Sequence, residues 1–204
     1  MNRRIFLGTL GASTLLSRFG LSQTGPAGPE GGFSLILHVD EIPDPPFGDD
    51  GRSHLGVDAL LALMDRRRLP LYRASGQGSS ARTTGLIAPD DVVLIKVNAQ
   101  WKCRGCTNSD VVRGLVHRIL GHPDGFRGEV VILDNGQGRG SLACDIPGYG
   151  DSEVRANAVD ESHSFLYLVD HVFHDPRVSA FLLDPIRFTF IGGDDHETDG
   201  YRRL

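Results

Sequence analysis

The sequence predicts an α/β fold, with a mostly parallel, Rossmann-like sheet flanked by helices, and residues 91–136 carry that expectation. Two short apolar runs, Asp91-Val-Val-Leu-Ile-Lys-Val-Asn98 and Glu129-Val-Val-Ile-Leu-Asp134, have strand length and β-branched composition. Between them, the segment from Ser109 to Leu120 places its apolar residues at helical spacing. Strand, crossover helix and strand make a βαβ unit, whose strands run parallel. Ligands of such sheets gather beyond the carboxyl ends of the strands. Lys96, Asn98, a Cys103-x-x-Cys106 loop and Asp134 would share that rim.

The remaining elements follow in chain order. Residues 1–24 pair Arg3-Arg4 with a short apolar segment ending near Leu16, as in a twin-arginine export signal. Such a segment is too short for a stable transmembrane helix. It implies the twin-arginine export machinery as a partner and a location across the cytoplasmic membrane, periplasmic or extracytoplasmic. Residues 25–32 are rich in Gly and Pro and predict a flexible linker. Residues 33–204 are expected to form one α/β domain, with its βαβ core at 91–136. Phe33-Ser-Leu-Ile-Leu-His-Val-Asp40 has strand composition and is expected as the first strand. Val57, Leu60, Leu61 and Met64 fall at i, i+3, i+4, i+7 and predict a helix stopped before Pro70. A helix is expected near 161–174, ended by Asp175-Pro176, then a helical turn around 178–183 and a strand at 187–191. With no helix after that strand, the sheet is expected to be incomplete at its C-terminal end.

The 204 residues fit a single domain, and 40% apolar residues suffice for a core. A net charge of −5 weighs against nucleic acid as the partner, and losing a leader with three arginines would leave a more acidic surface. No nucleophile elbow, Walker loop or HExxH motif is present.

The run Val92-Val-Leu-Ile-Lys-Val-Asn98, then Thr107-Asn108 opening a helix, then Val130-Val-Ile-Leu-Asp134 followed by Asn135-Gly136, resembles the Domain of Unknown Function 362 family. The likeness is clearest from 89 to 136. It implies an α/β fold with a site around Lys96, Asn98, Thr107, Asn108 and Asp134. Some members carry iron–sulfur modules, although no ferredoxin-like cysteine run occurs here.

Three chemistries are open at the rim. Cys103 and Cys106, with Cys144 as a third thiol, could bind a divalent metal or part of an iron–sulfur cluster. Such sites need about four ligands, so His, Asp or another chain would complete them. The same thiols could instead form a redox disulfide or be structural. Lys96, Lys102 and Arg104 surround a helix start, and with Asn98, Thr107 and Asn108 they could hold a small anionic molecule. Gly136-x-Gly138-x-Gly140 could allow close backbone approach to that molecule. Lys96 beside Asp134 also suits a catalytic acid–base pair, because a charge at the end of an apolar strand is costly unless paired. At 100° per residue His163, Tyr167, Asp170 and His174 share a helix face, which also reads as a solvated stripe. The expected function is a metal- or iron–sulfur-assisted enzyme acting on a small anion. The alternatives are a non-catalytic anion-binding protein and a structural protein.

Overall fold

The computed structural model describes residues 35–74, 85–100, 105–135, 141–145, 154–183, 190–191 and 201–202. Helix α1, Leu55–Arg66, begins where the His54 imidazole accepts the Val57 amide, satisfying one of the helix's unpaired first amides. It runs past both ends of the predicted apolar stripe. Strand β1, Val92–Lys96, leads through the rim loop into α2, Ser109–Leu120. Asn108 caps α2 by accepting the Val111 amide at 2.9 Å. Val112, Val116 and Ile119 form its inner stripe, at 3% exposure or less. Gly121 caps its C-terminal end, and the chain returns as β2, Glu129–Asn135.

β1 and β2 pair in parallel, with Lys96 opposite Leu133. The ladder continues through the Val97 amide to the Leu133 carbonyl at 2.9 Å. The βαβ unit is therefore present as the sequence predicts.

After β2 comes a short helix α3, Phe165–Tyr167, capped by the Ser164 hydroxyl. It widens at once into a π-helical stretch, Leu168–Phe173, which ends at His174 in a left-handed conformation with φ 47°. The expected helix near 161–174 is thus shorter and wound more loosely. Residues 178–183 correct the expectation of a helical turn: Val178–Leu183 is strand β3, parallel to β2. A short apolar run fits helix or strand equally by composition, and the free edge of β2 decides between them. The sheet order is β1-β2-β3.

Residues 35–40 correct a second expectation, since they lie in no sheet. Only Leu37 among them is fully buried. Strand composition describes fitness for a pleated surface, and this segment finds no sheet edge to join. Of the predicted strand at 187–191, residues 187–189 are outside the described set. Phe190–Ile191 forms a two-residue strand, β4, parallel to β5, Tyr201–Arg202.

The described helices cover one face of the three-stranded sheet. Val130, Ile132 and Asp134 alternate inward along β2 and are each at most 2% exposed. Val130 and Ile132 join Val116, Ile119 and Phe165 in the main core, where complete burial of each large apolar side chain contributes about 1.5–3 kcal/mol. The opposite face of β1 is open: Val92 and Leu94 are 61% and 63% exposed. α1 packs outside α2, where Gly114 lets His54 sit directly on the α2 backbone and Arg118 pairs with Asp58. Among the described residues no helix is long and apolar enough to cross a membrane.

Candidate functional site

The carboxyl ends of β1 and β2 bring Lys96 and Asp134 together. The two side chains start on opposite faces of the sheet, because Lys96 alternates with the exposed Leu94 and Asp134 with the buried Ile132. The lysine chain folds over the end of β1 and sets its ammonium 2.6 Å from Asp134 Oδ1. The same ammonium donates to the Val97 carbonyl. Asp134 Oδ2 accepts the buried Ala99 amide at 2.7 Å. The carboxylate is only 3% exposed, whereas the lysine side chain is 61% exposed. A fixed, inward carboxylate thus holds an outward cation at the rim.

The other rim residues mostly brace the loop between β1 and α2. Thr107 Oγ1 accepts the Asn98 amide at 2.8 Å, and the Thr107 amide donates back to the Asn98 carbonyl. Asn98 Nδ2 donates to the Gly105 carbonyl, and its Oδ1 accepts the Gln100 amide. Asn108 is committed to the helix cap. These groups shape the mouth of the site around Lys96. Lys102, Cys103 and Arg104, together with Trp101 and Gly136–Gly140, lie outside the described residues.

Cys106 and Cys144 converge, 38 positions apart in sequence. Both are buried, at 5% and 0% exposure, and both belong to the main core. Neither is in a disulfide. Hydrogen bonding to Cys106, reinforced by burial, pushes the Cys144 thiol above the ordinary thiol range. Among the described residues no group of three His, Cys, Asp or Glu side chains could hold a metal ion. Cys103, the remaining thiol of the predicted three-cysteine site, lies outside the described residues.

The histidine-bearing segment does not supply a metal site either. His163, Tyr167 and His171 instead form a surface stack, with centroid separations of 5.0 and 4.8 Å. The π-helical winding shifts the phase beyond Leu168, so the predicted face through His174 does not persist.

A second concavity had no sequence forecast. A cleft of about 580 Å³ opens at the start of α2, between residues 42–46, His54 and residues 156–161. At its base Asp110 is 1% exposed; its Oδ2 accepts the Val159 amide at 2.7 Å, and its Oδ1 has no protein partner. His54 is buried beside it, and desolvation lowers the imidazole pKa against the opposing pull of Asp110. In sequence, Asp110 reads as a first-turn acid favouring the helix dipole, and His54 as an isolated histidine. The only sequence signal was a carboxylate two residues after a cap.

No family model, curated protein or solved structure matches this chain.

Proposed function

We propose that this protein binds a small anionic molecule at the strand-end rim, with the Lys96 ammonium as its anchoring charge. One observation carries the reading: a lysine whose side chain is mostly exposed has its ammonium held in a fixed position by a buried carboxylate and a backbone carbonyl. Fixing a lysine before the ligand arrives lowers the ordering cost of binding. Asp134 keeps the site from being strongly cationic, so affinity depends on further donors around the mouth as well as on net charge. Lys102 and Arg104, close in sequence to the braced loop, are the residues proposed to add them. In an enzyme, Lys96 and Asp134 would serve as a proton-transfer pair on the bound anion, the role proposed for them within a Domain of Unknown Function 362-like site. The paired arginines at 3 and 4 support export by the twin-arginine route.

Titration calorimetry of the purified chain with inorganic phosphate and with small mono- and dicarboxylates tests the binding reading. Saturable binding that Lys96→Met weakens at least tenfold supports it. Absence of binding to any of these anions, or equal binding by the variant, would count against it. Turnover by wild type and loss of turnover in Asp134→Asn would raise the reading from binder to enzyme.

A further inference from the structure

We propose a second ligand site, distinct from the rim, in the cleft at the start of α2, and assign it to a small organic cation such as an alkylammonium compound. The inference is independent of the anion reading and concerns different residues.

The first ground is the state of Asp110. Its carboxylate is withdrawn from solvent, yet only one of its two oxygens has a protein partner. A buried carboxylate oxygen without a donor is costly, and a donor brought by a ligand would remove that cost. The second ground is the character of the walls. Asp44, Asp110 and Glu161 border the cleft with His54, and no Lys or Arg does so among the described residues. Glu161 has only a loose ion pair with Arg155, at 3.9 Å, on an exposed side chain. The third ground is the apolar surface between these carboxylates, given by Ile42, Pro43, Val111, Ala158 and Val159. A bare metal ion would gain nothing from such walls, and the described residues supply no group of three metal ligands. A helix start ordinarily favours anions, but three carboxylates set against one histidine, whose pKa burial lowers, reverse the preference. An ammonium head with an aliphatic body satisfies both the carboxylates and the walls.

The walls are also tied in place. The Ser109 amide donates to the Asn157 carbonyl, Asn157 Nδ2 donates to the Cys106 carbonyl, and the Val159 amide donates to Asp110. These bonds hold residues 157 and 159 against the start of α2.

The test is titration of the full chain with 1-aminobutane, 1,5-diaminopentane and guanidinium, alongside magnesium, calcium and inorganic phosphate. Wild type is expected to bind the amines saturably, with affinity falling as salt rises. Asp110→Asn should weaken amine binding at least tenfold, and Glu161→Gln two- to threefold. If Asp110→Asn does not fold, Val111→Arg provides the second variant, since Val111 is 39% exposed and borders the cleft. Its guanidinium would occupy the amine position and abolish binding. Rim binding stays intact in these variants, so failure here is separable from failure of the anion reading. No saturable amine binding below about 10 mM, unchanged binding in folded Asp110→Asn or in Val111→Arg, or divalent ions or phosphate binding in place of amines would each overturn the assignment.

Discussion

Replacing Asp134 probes the rim most directly, because its two oxygens do different things. Oδ2 holds the Ala99 amide, which is fully buried, and Oδ1 holds the Lys96 ammonium. Asp134→Ala orphans that amide, at about 1–3 kcal/mol. It also removes an ion pair whose lysine partner is mainly in water, which adds no more than about 1 kcal/mol. Together these give about 1–4 kcal/mol, or a fall in Tm of roughly 2–16 °C for a domain of this size. Asp134→Asn keeps an acceptor for Ala99 and loses only the ion pair, so it should cost about 1 kcal/mol. Lys96→Met leaves the buried carboxylate with one amide for company, at about 1–3 kcal/mol. Combining Lys96→Met with Asp134→Asn removes the stranded charge, and the double variant should be more stable than the sum of the two losses predicts. Urea unfolding followed by far-ultraviolet circular dichroism measures all four. An Asp134→Ala variant within 0.5 kcal/mol of wild type, or strict additivity in the double variant, would refute the account of a carboxylate serving two partners.

Other expectations concern the packing and the titratable groups. Gly114→Ala places a methyl group where the His54 side chain lies, forcing α1 off α2, and should cost about 1–3 kcal/mol by urea unfolding. Ile132→Ala, at a fully buried position, should cost about 2–5 kcal/mol, while Leu94→Thr on the open face should stay within about 0.5 kcal/mol. Burial lowers the pKa of both His54 and His117 from the ordinary 6.5. The unfolded chain therefore binds more protons than the folded one, so their stabilisation is complete above pH 6.5 and is lost as pH falls through the folded values. Unfolding free energy measured from pH 7.5 to 5 should decline below 6.5, with a shallower slope in His117→Gln. Cys106 and Cys144 should resist iodoacetamide in the native protein and react fully in urea, read by mass spectrometry; rapid native labelling of Cys144 would contradict its burial.

The βαβ core was legible because its signals are local. Val92–Lys96 and Glu129–Asn135 are short apolar runs, and Ser109–Leu120 carries an unbroken helical stripe behind an asparagine cap. From their parallel pairing, the meeting of Lys96 and Asp134 follows. β3 was not legible, since Val-Ser-Ala-Phe-Leu-Leu has no period that separates strand from helix, and only the waiting edge of β2 assigns it. Residues 35–40 show the converse case, strand composition without an edge. Cys106 and Cys144 were legible as two thiols of a three-thiol site, but their shared burial in the core was not. The α2 cleft was invisible because its parts come from three separated stretches, and neither His54 nor Asp110 stands out from its neighbours.

The bonds that fasten residues 157 and 159 to Cys106 and Asp110 span 51 and 49 positions. The opening turn of α2 therefore cannot be completed while that later stretch is still being synthesised. Until then Asp110 has neither of these neighbours, and the helix must start on its asparagine cap alone. A chain stopped before residue 154 would be expected to keep the strands β1 and β2 but exchange the amides of the first turn of α2 faster with deuterated solvent. The beginning of the central helix is thus fastened by contacts from about fifty residues further along the chain.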